Sequence, residues 1–340
     1  MRLSALHPLL RTVLPGVLAG LLLAAVIPLV PGLGEGQGLR TLTVCAIYSL
    51  AAAGAGLLYG RLGLVSLMQV GLVAIGGWVT LRLYHATHLP FELVMVLAAL
   101  ITAAIGTVVS LPALRLSGLS LAIVTLMIAG ALEVIVNFTG FPNGGEDFLG
   151  RVGGGTLAAI MPRPALVGQD DAAYFRYVVA IVVLVLLLLS WLLASRPGRS
   201  WAAIRQGEAG AIAAGIDITA YRILALAATS AVTGVAGALL AANSGILDPA
   251  TFKAQQSVLL FATVLIGGAF TLAGAIIGGL FFYGVPQLLN SWHVDGNLVF
   301  VILGLGTVHA ITTSPEGIAG SFAALGRTVR ARLGRREGAP

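Results

Sequence analysis

Polar side chains in or beside long apolar runs are where this chain could do chemistry. Glu133, in LMIAGALEVIVNF, is the ionisable side chain set deepest in such a run, with Asn137 one turn beyond it, about 6 Å of helix rise away. Ser66 and Gln69 in RLGLVSLMQVG, Thr125 in SLAIVTLM, and Ser257 and Thr263 in QQSVLLFATV are neutral. An ionisable group in lipid is costly and by default marks function, though its closeness to Asn137 also suits Glu133 to the outer headgroup level. Hydroxyls and amides can contact a neutral or zwitterionic solute without trapping it, and the same groups serve equally well as hydrogen-bonding glue between helices. The chemistry on offer is recognition and passage, not bond breaking.

Catalytic signatures are missing. Lys253, the sole lysine, sits in DPATFKA and not after a Gly-rich phosphate loop; there is no H-E-x-x-H or G-x-S-x-G. The histidines, at 7, 85, 88, 293 and 309, are scattered, and Cys45 is the one cysteine, so a disulfide or zinc site within the chain is not expected. No enzyme site and no cofactor is expected in this chain. If it drives uphill movement with ATP, another subunit must bind the ATP and magnesium.

The elements positioning these side chains follow from composition. Hydrophobic residues make up 58% of the chain and charged residues 9%, with mean hydropathy +1.00; soluble domains carry about 25% charged residues. An all-α, polytopic integral membrane protein is expected. Its 45 glycines suit closely packed membrane helices. Runs of about 20 apolar residues predict about ten transmembrane helices, at 12–31, 40–58, 62–82, 91–113, 116–137, 174–194, 222–243, 257–272, 273–290 and 298–313. The pair at 257–290 is short for two crossings. VGLVAIGG (70–77) resembles FATVLIGG (261–268), and in this topology the two run in opposite directions, a hint of an inverted repeat.

With the N-terminus inside, most of the 19 basic residues fall on the cytoplasmic side, including Arg2, Arg11, Arg61, Arg115, Arg196, Arg199, Arg205 and Arg222. Both termini are expected there, in a bacterial inner membrane. Residues 1–325 read as the membrane domain and 326–340 as an Arg-rich tail near anionic lipid headgroups. Basic residues dispersed at span ends argue against nucleic acid as a partner. The loop at 138–173, with Glu146, Asp147, Asp170 and Asp171, is expected to be periplasmic.

The longest polar stretch between two charge-free runs is 195–221, SRPGRSWAAIRQGEAGAIAAGIDITAY. Good helix formers from Arg199 to Ala214, punctuated by Gly207, Gly210 and Gly215, predict a short helix lying across the membrane surface. Its small residues would let a partner approach the backbone closely, with Trp201 and Ile204 anchoring one side. The run GEAGAIAAGIDITAYR resembles the cytoplasmic coupling loop of the branched-chain amino acid permease family of ABC importers, with Glu208, Ala213, Ala214, Gly215, Ile216, Asp217, Tyr221 and Arg222 in the matching places. GRLGLVSLMQVGLVAIGGWV, PALRLSGLSLAIVTLMIAG, FPNGGEDFLG and LLFATVLIGGAFTLAGAIIGG resemble further segments of that family, in order, over about residues 40–290. The M-type subunit is the nearest resemblance.

The resemblance implies a permease that pairs with a second permease subunit, as a heterodimer, with two cytoplasmic ATPases and with a periplasmic binding protein. It implies ATPase coupling through Arg199, Arg205, Glu208, Ala213, Ala214, Gly215 and Asp217. A substrate path past Ser66, Gln69, Thr125, Glu133, Asn137, Ser257 and Thr263 is expected, lined by segments 62–82 and 257–272 facing one another across a midplane cavity. Two departures bear on substrate. Met68-Gln69-Val70 stands where the family often has Gly-His-Ala, and Ala129-Gly130-Ala131 where it often has Gly-Glu-Ile. Branched-chain amino acids lead, with urea, amides and other small amino acids open. The alternative is an ATP-independent secondary transporter or channel, which would call for charged ion sites within the spans.

Overall fold

A computed structural model describes residues 20, 22, 25–30, 36–116, 118–138, 160–269, 271–293, 296–313 and 317–321. Most of the expected first span, residues 139–159 and the tail lie outside the described residues. All regular structure within them is helical: α1 (Gly36–Leu57), α2 (Gln69–Thr87), α3 (Phe91–Ser110), α4 (Gly118–Phe138), α5 (Asp171–Ala194), α6 (Arg196–Gln206), α7 (Glu208–Ala213), α8 (Ile218–Ser244), α9 (Ala254–Gly267), α10 (Leu272–Gly279), α11 (Val285–Ser291) and α12 (Gly296–Thr313). Wider π-helical turns extend α1 through Leu58–Leu62 and join α10 to α11 through Leu280–Gly284.

Six of these helical stretches are long and apolar enough to cross a membrane: 36–62, 91–114, 118–137, 171–194, 218–244 and 272–291. Their burial sorts them. The most apolar window of α1 is 83% buried and that of α8 67%, against 17% for α5, so α1 and α8 form the centre and α5 the rim. α3, α4 and α5 turn Leu93, Leu100, Leu119, Met127, Val134 and Leu188 outward, as a lipid-facing surface should.

Backbone contact between helices holds the centre together. A Cβ on Gly76 of α2 would come within 2.7 Å of the Cα and carbonyl oxygen of Gly234 in α8, a distance side chains do not tolerate. Without a hydrophobic driving force between helices in lipid, this close van der Waals approach is what small residues supply. One turn away along α8, Gly106 of α3 leaves just enough room for the Ser230 side chain.

Two expected crossings are not plain helices. The run at 62–82 begins with a non-helical stretch, 63–68, before α2 starts at Gln69. Gly63 is left-handed at φ 71°; its N–H donates to Tyr59 O (3.0 Å) and Leu64 N donates to Leu58 O (3.1 Å). Those nested bonds close the wider π-helical turn and stop α1 inside an apolar run that hydropathy alone reads as continuous. The expected span 257–272 is α9, only 14 residues, about 21 Å long against a hydrocarbon core of about 30 Å. It ends at Gly268 (φ 110°), and α10 starts where the Thr271 hydroxyl accepts from Gly274 N at 3.0 Å.

The described chain presents two faces. On one, Arg61, Arg196, Arg199, Arg205 and Arg222 gather around the ends of α1 and α5, with α6, α7 and the start of α8. On the other, Asp171 at the start of α5 accepts from Arg40 of α1 (3.1 Å) and Arg163 (2.5 Å), and Met161 N donates to Gly245 O at the end of α8 (2.8 Å).

Candidate functional site

Of the polar side chains singled out by type, Ser66, Gln69, Thr125 and Ser257 gather at the interruption before α2, and two of them satisfy backbone freed there. Where the chain leaves the non-helical stretch, Thr125 Oγ1 of α4 accepts from Leu67 N (3.0 Å) and Ser257 Oγ of α9 accepts from Val70 N in the first turn of α2 (3.2 Å). An unpaired amide in an apolar interior costs several kcal/mol, so a neighbouring hydroxyl is what makes a non-helical stretch tenable there. The contact from Ser257 also brings α2 and α9 together at their N-terminal ends. Glu133 works alike about one turn back along α9: its Oε2 accepts from Ala254 N, capping α9 from α4 at 2.8 Å. Asn137 is exposed and donates back to Glu133 O (2.8 Å). Thr263 is fully buried and donates within its own helix to Leu260 O (2.8 Å).

Gln69 is the least provided for. It is 1% exposed, its Oε1 lies 2.7 Å from Thr233 Oγ1 of α8, and Gly54 of α1 leaves room for both side chains. Nε2, as oriented, is buried with no partner among the described residues, as is Ser66 Oγ. Thr233 Oγ1 also lies 2.8 Å from Thr229 O, so its single hydrogen faces two acceptors; turning the amide over would give each hydrogen its own. Thr229, Ser230 and Thr233 of α8 and Thr102 of α3 are all at most 1% exposed. The sequence reading missed this strip, although AATSAVTG, with polar residues one turn apart in a charge-free run, carries its signal.

A cavity of about 360 Å³ lies between α1, the end of α5 and the interruption before α10. Small residues line it, Ala52, Ala53, Gly56, Ala269 and Ala275 among them, with Arg61, Ser190 and Thr271 as the polar ones. None of the residues expected on a path lines it. Ser66 and Thr125 instead face a narrow slot with Ser110, Leu226 and Arg222.

The basic segment differs in shape from the single surface helix expected. It is two helices, α6 and α7, separated at Gly207, and α7 closes at Gly215 in the left-handed region (φ 76°), with Gly215 N on Ile212 O (2.9 Å) and Ile216 N on Ala211 O (3.0 Å). Trp201 is fully buried and its Nε1 donates to Tyr221 O (2.8 Å), pinning α6 to the start of α8. Asp217 caps α8, accepting from Ala220 N (3.1 Å). Ala213, Ala214 and Gly215 are exposed with little bulk around them. Arg199 donates to Ala194 O (3.0 Å), Arg205 donates to Tyr59 O, and Glu208 pairs with Arg222. Among the described residues no cluster of His, Cys, Asp or Glu could hold a metal ion.

A core of apolar helices, two of them interrupted inside the apolar layer, defines a multi-pass helical membrane protein. The chain belongs to the family described as branched-chain amino acid transport system / permease component, whose pattern matches residues 38–306. It is similar to the high-affinity branched-chain amino acid transport system permease protein LivM of Escherichia coli (strain K12), 29% identical over 306 residues, 81% of this chain and 68% of that protein. LivM of Salmonella typhimurium (strain LT2) matches the same shares at 28%. LivH of the same strain, named as a permease protein of the same kind of system, is 24% identical over 300 residues, 84% of this chain and 94% of LivH. No solved structure matches.

Proposed function

We propose that this chain is a permease subunit of an ABC importer, moving branched-chain or related small amino acids across the bacterial inner membrane with ATP hydrolysed by partner subunits. The family match carries the reading, and the exposed Ala213-Ala214-Gly215 surface on the basic face supports it as the place where an ATPase approaches. Similarity to both LivM and LivH favours a second, different permease as the partner. Two cytoplasmic ATPases and a periplasmic binding protein complete the assembly, the latter meeting the 138–173 loop.

The basic face is the cytoplasmic one, by the positive-inside rule, and both termini lie on that side of ten crossings, the first within 12–31. The non-helical stretch before α2 and the interruption after α9 are the corresponding parts of two inverted halves. Solute passes near Gln69 and Ser66, whose Nε2 and Oγ are left without partners among the described residues, and Thr125 and Ser257 hold the surrounding backbone. Glu133 and Asn137 sit at the outer rim of that path.

The test is uptake by the assembled transporter in proteoliposomes. Leucine, isoleucine or valine should accumulate only with ATP, the binding protein and both ATPases present. Accumulation that persists without ATPase subunits would instead mark an ATP-independent carrier. Ala213→Trp should abolish substrate-stimulated ATP hydrolysis while leaving the spans folded; unchanged stimulation in an assembled variant would remove 195–221 as the coupling segment.

A further inference from the structure

Two arginines, Arg205 of the basic segment, itself exposed, and Arg222 just beyond it, bond to backbone at helix ends beside the non-helical stretch at 63–68. Arg205, in the last turn of α6, donates to Tyr59 O in the π-helical turn that ends α1. Its guanidinium also stands 5.6 Å over the Tyr59 ring, and a Cβ on Gly63 would lie 3.7 Å from Arg205 Nη1. Tyr59 in turn packs edge-on against Phe261 of α9, ring centroids 5.4 Å apart. Arg222 sits just inside α8 with its side chain 14% exposed. Its Nη2 pairs with Glu208 at the start of α7, and its Nη1 reaches Leu114 O at the α3–α4 corner (3.5 Å). Arg222 also lines the slot that holds Ser66 and Thr125.

We infer that Arg205 and Arg222 are positioning residues that carry displacement of the 196–217 segment to the non-helical stretch leading into α2. The two attachments are of the strong kind. A guanidinium on a carbonyl or carboxylate is charge-assisted, and a carbonyl at a helix C-terminus carries partial negative charge. They also act around one short piece of chain: Arg205 holds the α1 terminus just before Gly63, and Arg222, bonded to Leu114 O, lines the slot that Ser66 lines too. The Glu208–Arg222 pair spans the Gly215 turn and ties α7 to the start of α8. The exposed small residues receive a partner, and the two arginines, bonded back to helix ends, pass its movement on. This inference rests on the reading of 195–221 as the coupling segment.

The experiment uses the complete transporter in proteoliposomes with Arg205→Gln and Arg205→Lys. A reporter, Val65→Cys, is added in parallel; the native thiol, Cys45, is buried and leaves the label to position 65. Solute moved per ATP hydrolysed should fall on the order of tenfold in Arg205→Gln, the fold-change expected when one charge-assisted hydrogen bond is lost. Arg205→Lys, which keeps the charge, should restore most of it. The thiol at 65 should react at different rates with and without ATP when Arg205 is present, and lose that difference in Arg205→Gln. If Arg205→Gln does not assemble, Glu208→Gln, at an exposed position, removes the ion pair of the other arm and is read in the same way. A normal solute-to-ATP ratio in these variants, or an ATP response at position 65 that survives them, would overturn the inference. If Ala213→Trp uncouples transport while Arg205→Gln does not, only this inference fails. If Ala213→Trp has no effect, the coupling-segment reading itself fails.

Discussion

At the scale of single residues, the polar side chains divide by what their atoms already do. Gln69 and Thr233 are a buried pair, and removing one partner strands the other. Gln69→Leu should therefore destabilise the protein by about 1–3 kcal/mol, and adding Thr233→Val should recover most of that, since apolar groups then replace both partners. Thermal unfolding of the purified protein measures this. Uptake separates structure from passage: if the amide contacts solute, the double variant regains stability but not transport. Transport that returns with stability would take Gln69 off the path. Glu133 makes the contrasting case, because its carboxylate is occupied by Ala254 N. Glu133→Gln keeps an oxygen acceptor there and should transport nearly normally, whereas Glu133→Ala should cost about 1 kcal/mol, as lost helix caps do. A severe uptake defect in Glu133→Gln with normal stability would show that the charge itself serves the solute.

At the scale of elements, glycine decides which helices touch. Gly76→Leu would drive a branched side chain into the backbone of α8 and should sharply reduce folded protein in the membrane. Gly130→Ala, where a Cβ meets nothing within 4 Å, should be silent; equal yields of the two variants would contradict the packing described for α2 and α8. Much of this architecture was legible beforehand. Apolar length found the helices at 91–113, 116–137, 174–194 and 222–243 to within a few residues, because for them hydropathy and helicity coincide. It could not find the non-helical stretch at 63–68, where the apolar run continues but Gly63 turns left-handed and closes α1. For the same reason Ser66, Gln69, Thr125 and Ser257 were recognisable as buried polar groups, yet the duties of Thr125 and Ser257 were not. A hydroxyl that accepts from Leu67 N has a reason only once that N–H is known to be free of helix. Likewise the spacing of Arg199 and Arg205 does not reveal that Arg205 bonds to Tyr59 O, nor that Gly207 divides one expected helix into α6 and α7.

At the scale of the whole molecule, the arginines sort the two faces, and this supports an orientation that can be checked directly. A reporter active only in the periplasm should be active when inserted in 139–159 and silent when inserted at Gly210 or fused after Pro340. Activity at Pro340 would remove the placement of both termini on the cytoplasmic side. The Gly76–Gly234 contact has a consequence for motion. Interiors packed this closely switch between discrete arrangements and do not deform continuously, and here backbone meets backbone with no side chain to rearrange. α2, α3 and α8 therefore travel together as one rigid body. Any exchange of access between the two faces must then be taken up at the joints where helix hydrogen bonding is already broken, at 63–68 and just after α9. Spin-label distances between α2 and α8 should stay constant through the transport cycle, while distances from α1 to α2 and from α9 to α10 change.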